Sequence, residues 1–194
     1  MTTETPYEVE LKFRVTDAVA LRRQLCEMGV TWGRVEVQVD QYFQHPARNF
    51  VETDEALRLR TIGEQTTLTF KGPVIDRRTK TRQELEVALQ PGHDVAAIMA
   101  CVLQQLSFPA VREVRKERST GQLNWQGHAV TCCWDEVPPI GTFVEFELLT
   151  DAAGKSAAQQ AILSLAEHCG LTAQEPRSYL QMTLEHDEHL RDAR

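Results

Sequence analysis

Residues 7–15, Tyr7-Glu8-Val9-Glu10-Leu11-Lys12-Phe13-Arg14-Val15, alternate strictly between charged and apolar side chains from Glu8 onward. Successive side chains of a strand point to opposite faces, so this stretch reads as a β-strand with Glu8, Glu10, Lys12 and Arg14 on one face. Val9, Leu11, Phe13 and Val15 take the other. The same two-faced pattern returns along the chain. Arg58 and Arg60 oppose Leu57 and Leu59, Thr69 and Lys71 oppose Leu68 and Phe70, and Arg82, Glu84 and Glu86 oppose Leu85 and Val87. Lys116 and Arg118 share a face, and Glu145 and Glu147 oppose Val144, Phe146 and Leu148.

For any one strand, a charged face turned to solvent is the simplest account. Across the set that account weakens, because the polar faces carry Glu, Arg and Lys of both signs and little Ser, Thr, Gln or Asn. A sheet closed into a barrel turns its apolar faces outward beneath amphipathic helices and its charged faces into a lumen, and about eight strands leave room there for a ligand. Charges so enclosed cost desolvation energy unless each is paired. The arrangement makes sense if basic groups hold phosphate oxygens and carboxylates hold Mg²⁺ or Mn²⁺. Arg offers a planar fork to phosphate, Lys a mobile point charge, and carboxylates are hard-oxygen ligands.

Between these strands the chain reads as follows. Thr16 opens a helix over about 17–28 that Gly29 closes, and Val35–Phe43 is a strand followed by a polar loop at 45–49. Strands at 56–62 and 66–71 flank a turn at Gly63, and the basic stretch 72–82 reads as a mobile loop before a strand at 81–89. Ala96–Leu106 has a helical pattern, and a strand at 111–119 meets a turn at Gly121. Short strands at 122–126 and 128–135 follow, then a strand at 142–149. Lys155–His168 is a helix closed by Gly170, and a short helix over 178–185 precedes a charged tail at 186–194. Many strands with three or four helices, joined mostly as hairpins, make the fold class α+β. A single domain over residues 1–185 accounts for the chain.

At 194 residues and 42% hydrophobic content, one domain has material for a core. No apolar run nears the roughly 18 residues that span a bilayer, and the first residues lack a signal-peptide pattern. Five cysteines, with no zinc-type spacing, suit a reduced, cytoplasmic protein. A net charge of −7 argues against a nucleic-acid partner but not against a small polyanion. Trp32, Trp125 and Trp134 read as packing residues. His186 and His189 fall in the charged tail, where solvation explains them. The helix at 155–168 reads as a cover for the core, and a homodimer through it is open.

Glu8-Val9-Glu10-Leu11-Lys12 resembles the E-x-E-x-K signature of the CYTH superfamily, the triphosphate tunnel metalloenzymes. Further family-like segments follow in order. They are Asp40-Gln41-Tyr42-Phe43, Leu57 to Arg60, Thr69 to Pro73, Arg82 to Glu86, Arg115 to Arg118, Asp135-Glu136-Val137, Gly141 to Glu147 and Ser178-Tyr179. The opening strand and Glu175 to Met182 are similar to class IV adenylate cyclases. The resemblance implies a closed, mainly antiparallel eight-stranded barrel, helices outside, working on a triphosphate with Mg²⁺ or Mn²⁺. It assigns Glu8, Glu10, Glu145 and Glu147 to metal, assisted by Asp135, Glu84 and Glu86. Lys12, Arg58, Arg60, Lys71, Arg82, Lys116 and Arg118 are assigned to phosphate, with Glu8, Glu10 and Lys12 as the catalytic entry. It implies cyclisation of ATP to cyclic AMP and pyrophosphate. The alternatives are hydrolysis of tripolyphosphate, thiamine triphosphate or a nucleoside triphosphate, and a non-catalytic polyphosphate- or nucleotide-binding module.

Overall fold

In chain order the elements are β1 (Tyr7–Arg14), α1 (Ala18–Glu27), β2 (Glu36–Phe43), α2 (Phe50–Thr53), β3 (Ala56–Ile62), β4 (Gln65–Lys71), β5 (Arg82–Ala88), α3 (Val95–Gln105), β6 (Ala110–Trp125), β7 (His128–Val137), β8 (Gly141–Thr150), α4 (Lys155–His168) and α5 (Tyr179–Asp192). This is a computed structural model, and it describes residues 7–192. The strands close into one barrel in the order β1-β5-β4-β3-β2-β6-β7-β8, with every neighbouring pair antiparallel. The α+β class and the eight-stranded closure are as the resemblance implied. Residues 1–6, read above as carrying no leader, and residues 193–194 of the expected tail lie outside the described residues.

Closure puts the apolar faces outside, where helices cover those of β1, β3, β7 and β8 and leave Leu85 and Val87 of β5 exposed. Val9, Leu11, Phe13, Cys132, Trp134, Val144 and Phe146 form one outer core with Leu21 and Leu25 of α1 and Ala158, Ile162 and Leu165 of α4. Alanines on the inward side of α4 let its axis lie close to the sheet, and Ile162 and Leu165 are fully enclosed. A second outer cluster joins Phe43, Phe50, Leu57 and Leu59 to Leu103 of α3. A third closes one end of the barrel: Tyr179 and Met182 of α5 pack on Tyr42, Val114, Val137, Ile140 and Phe143. All three tryptophans are packing residues, Trp32 and Trp125 against the first cluster and Trp134 within it. Cys132 lies in the outer core while Cys133 faces the lumen beside Arg118, Glu145 and Glu147, opposite directions as strand geometry requires. Among the described residues no helix is long and apolar enough to cross a membrane.

Four local expectations need correction. The turn expected at Gly121 is absent: β6 runs unbroken from Ala110 to Trp125, with Gly121 paired to Cys132. The glycine is needed for close approach, since a Cβ there would stand 2.5 Å from Val30 Cγ1 and 3.0 Å from the Thr31 carbonyl oxygen. The polar loop after β2 leads into a short helix, α2, because Asn49 caps it by accepting from the Val51 N–H. The 72–82 stretch is not an open flap: Asp76 and Thr81 form an antiparallel bridge, and Thr79, Lys80 and Thr81 are buried. The final helix does not stop near residue 185 but continues to Asp192, held to β6 by an Arg112–Asp187 ion pair of 3.0 Å. His186 and His189 are thus helical, and the tail begins later than expected.

Replacing Gly121 with alanine should overfill the contact with residues 30 and 31 and destabilise the chain by about 1–3 kcal/mol. Chemical denaturation of both proteins checks this; equal midpoints would show that residues 30 and 31 yield freely.

Candidate active site

Residues directly opposite in a ladder share a face. The register therefore assembles the lumen: Glu10 faces Glu147 and Lys12 faces Glu145 across β1 and β8, while Glu8 faces Arg82 across β1 and β5. Lys71 faces Glu84, Asp40 faces Arg60, and Arg118 faces Asp135. A cavity of about 560 Å³ results. Its wall holds Glu8, Glu10, Lys12, Arg58, Arg60, Lys71, Arg82, Glu84, Glu86, Lys116, Arg118, Glu145 and Glu147 together. Of the residues singled out from the sequence, Asp135 alone stands outside that lining. Glu86 lies at an exposed stretch of β5, where its carboxylate accepts from the Thr69 hydroxyl at 2.8 Å.

The charges form two networks. In the first, Lys71 bridges Glu8 and Glu84, the latter at 3.0 Å, and Arg58 reaches Asp40 at 3.3 Å. Arg60 grips the same Asp40 with two hydrogen bonds of 2.7 Å. In the second, Arg118 binds Asp135, Glu145 and Glu147, Lys116 donates to Asp135 at 3.1 Å, and Lys12 sits 3.7 Å from Glu145. The Tyr179 hydroxyl also donates to Asp135, at 2.8 Å, and the ring lies under both the Lys12 and Lys116 ammonium groups.

Asp135, expected above to assist the metal carboxylates, stands outside the cavity lining with its carboxylate engaged by three donors. Wholly buried, it accepts from Arg118, Lys116 and Tyr179 and acts as an anchor behind the wall. Removing one partner of such a buried set leaves charge uncompensated.

Several atoms in the lumen lack partners. The Nε groups of Arg58 and Arg82 are buried donors with no acceptor among the described residues. Glu10 is 7% exposed, and among the described residues no hydrogen bond or ion pair within 4.0 Å reaches its carboxylate. Burial and Glu8 push the Glu10 carboxyl up, but Lys71, Lys12 and Arg82 outweigh them and hold it below the ordinary value. For Glu145 burial is overcome by Arg118, Lys116 and Lys12, bringing it down to about 2. Glu147 goes the other way: burial, with Glu8, Glu145 and Glu10 nearby, outweighs Arg118 and pushes it up to about 7. Lys71 rises because Glu8 and Glu84 outweigh its burial.

An unpaired Glu10 beside a carboxyl crowded up to about 7 is the donor chemistry that a divalent cation satisfies. The carboxylates are hard oxygen donors on two neighbouring strands. They do not form a ready-made cage: no three His, Cys, Asp or Glu side chains among the described residues are gathered closely enough. Glu8, Glu145 and Glu147 are instead occupied by Lys71 and Arg118.

Three lumenal residues carry roles that their local sequence does not mark. Asp40, which enters above only within a family-like segment, is the hub for Arg58 and Arg60, which hold its carboxyl below the usual range against its burial. Tyr179 is the buttress of the second network. Lys80 lies two residues before Arg82, on the same alternation, and a strand boundary drawn one residue earlier would have included it.

Residues 6–179 match the family model of the CYTH domain. The chain is a member of the CYTH family. A curated relative from Methanocaldococcus jannaschii, named "Putative adenylate cyclase", is 34% identical over 140 residues, 72% of this CYTH chain and 75% of its own length. The structure of the PH1819 protein from Pyrococcus horikoshii superposes with a TM-score of 0.78 at 36% identity, covering 92% of this chain and 98% of that one. A "putative adenylate cyclase" from Vibrio parahaemolyticus superposes with a TM-score of 0.74 over 91% of this chain and 97% of its own. At 20% identity that second likeness speaks for the CYTH fold alone.

The crowding of Glu147 gives a pH signature. Its folded value near 7 lies above the ordinary 4.5, so the folded chain binds the extra proton and loses stability as pH rises through that window. Glu147→Gln removes the loss. In chelator-treated protein, the stability of the variant relative to wild type should grow by roughly 1–3 kcal/mol between pH 5 and pH 8 and then level off. Parallel unfolding curves at the two pH values would refute it.

Proposed function

We propose that this CYTH protein is a metal-dependent enzyme that takes an organic triphosphate into the barrel, and that it cyclises ATP to cyclic AMP and pyrophosphate. The observation that carries the reading is that incompletely satisfied groups of both signs share one cavity. Among the described residues the buried Nε donors of Arg58 and Arg82 have no acceptor, and the Glu10 carboxylate, with Glu147 crowded beside it, has no ion-pair or hydrogen-bond partner within 4.0 Å. A metal triphosphate would satisfy both. The lining also suits an organic end: Val51, Val111, Leu180 and Leu184 belong to it, with the amides of Gln44 and Gln181. An inorganic chain would have no use for those apolar side chains. The name of the M. jannaschii relative supports the cyclase reading. All five cysteines are free, which supports a reducing, cytoplasmic setting.

Glu8, Glu10, Glu145 and Glu147 are the residues that would hold Mg²⁺ or Mn²⁺, with Glu84 beside Glu8. Such an ion would supply Lewis-acid chemistry there, favouring loss of the hydroxyl proton and the build-up of charge on phosphoryl oxygens. Lys12, Arg58, Lys71 and Arg82 hold non-bridging oxygens and compensate the charge that builds on the leaving group. Lys116 and Arg118, locked by Asp135, orient the chain of phosphates from the opposite wall. In the proposed reaction the ribose 3′-oxygen bonds to the α-phosphorus as the bond to the bridging oxygen breaks, and pyrophosphate leaves. The hydroxyl proton passes to solvent, for no side chain is set apart as a base. These donors act chiefly by position and charge, which is how phosphoryl and nucleotidyl transfer is catalysed.

Incubation of the purified protein with ATP and Mg²⁺ or Mn²⁺, with products resolved by chromatography, tests the proposal. Cyclic AMP and pyrophosphate are expected, and a chelator should abolish both. Glu10→Gln should lower turnover by about 100-fold or more, the range found when one transition-state stabilising group is lost. Orthophosphate without cyclic AMP would replace cyclisation with hydrolysis. Tight triphosphate binding without turnover would leave a binding module.

A further inference from the structure

Lys80 is a buried cation that the lumenal networks do not explain. Only 6% exposed, it lines the cavity from the turn between β4 and β5. Its ammonium donates to the Pro176 carbonyl at 3.1 Å and pairs with the Asp54 carboxylate at 3.3 Å. A lysine has three N–H donors, so a further one is available after these two.

The turn is built to hold that side chain inward. Thr79 and Thr81 point away from it and are fully enclosed, their hydroxyls 2.9 Å apart. The Thr81 hydroxyl donates to the Thr79 carbonyl at 2.8 Å, and Gln159 of α4 donates to Thr81 at 3.2 Å. Lys80 and Arg82 lie on the opposite side of this pinned backbone, pointing the same way. Both meet Asp54, which Arg82 approaches through the backbone carbonyl at 3.0 Å. Asp54 itself, at the end of α2, sits in the left-handed region with φ of 55° and keeps 31% of its side chain exposed. Among the described residues, this partly exposed carboxylate is the one that pairs with the enclosed ammonium within 4.0 Å, while Glu10 acts on it from farther off. Next to it stands Arg82, whose Nε has no acceptor among those residues. Burial and Arg82 together outweigh Glu10 and Asp54 and hold the Lys80 ammonium below the ordinary lysine value, so the existing anions undercompensate it.

We propose that Lys80 is a further phosphate-binding residue of this barrel, with Asp54 occupying its ammonium until a phosphate oxygen takes that place. The inference rests on the reading of the lumen as a triphosphate site. The competing role is a clasp that merely ties α2, the turn and the segment before α5 together through Asp54 and Pro176.

The two roles give opposite results for the two partners. Tripolyphosphate binding to the full chain, with Mg²⁺, is measured by calorimetry for wild type, Lys80→Gln and Asp54→Asn, and melting curves establish that each is folded. A phosphate ligand at Lys80 predicts binding about 10-fold weaker or worse in Lys80→Gln, the loss typical of one charge-assisted hydrogen bond. It predicts equal or tighter binding in Asp54→Asn, because the competing anion is gone. Equal weakening of both variants would establish the clasp and overturn the proposal, as would a Lys80→Gln affinity within twofold of wild type. Should Lys80→Gln fail to fold, Asp54→Asn decides: equal or tighter binding supports the proposal and a tenfold loss overturns it. A wild type that binds no triphosphate would instead remove the underlying reading, and this inference with it.

Discussion

Charge compensation inside a closed ring is the constraint on which the rest of the structure depends. A barrel with ionised side chains on its inner face must neutralise them locally, because water is scarce and each uncompensated ion costs several kcal/mol. Cross-strand register does this here, placing Lys71 against Glu84, Arg60 against Asp40 and Arg118 against Asp135. The outer architecture follows. Strands that turn charge inward must turn Val, Leu and Phe outward, and α1, α3 and α4 exist on the outside to cover them. Incomplete compensation is what separates a ligand site from a solid core, and it survives at Glu10, Arg58 and Arg82.

Much of this was legible from the alternation. A period of two with Glu, Arg and Lys on one face, repeated on strand after strand, suits an enclosed charged lumen better than a row of exposed faces. All the candidate phosphate residues reach the cavity wall for that reason. Order around the ring was not legible: that β1 closes against both β5 and β8 depends on contacts between distant parts of the chain. Asp40 carried no local mark because its neighbours Gln41 and Tyr42 are uncharged, so nothing in the sequence beside it set it apart as the hub of two arginines. Asp135 reads locally as one more carboxylate of the lumen, and the convergence of Arg118, Lys116 and Tyr179 on it was not legible because those residues come from other parts of the chain. Gly121 was misread because glycine serves tight turns and close approaches equally well. The distinction lies in residues 30 and 31, far upstream in the chain.

The end of the barrel closed by α5 has a different character from the rest of the lumen. There Tyr179 is both hydrogen-bond donor and aromatic platform, joining Asp135 below to the Lys12 and Lys116 ammonium groups above. A helix laid across a barrel end usually supplies only apolar cover. Here its first residue sets the positions of cations contributed by β1 and β6. The geometry of the site is therefore shared between the sheet and the last helix of the chain.

One consequence lies at the joint between β1 and β5. Among the described residues β1 matches β8 from Tyr7 to Arg14 and meets β5 at Tyr7 with Gln83 and Glu8 with Arg82. A side-chain tie adds to the backbone pairing there. Lys71 on β4 holds Glu8 of β1 and Glu84 of β5 at once. One ammonium thus ties three strands together, and it is also a charge that an anion entering the lumen would attract. A ligand of that kind would have to share this tie with the wall or compete with the wall for it.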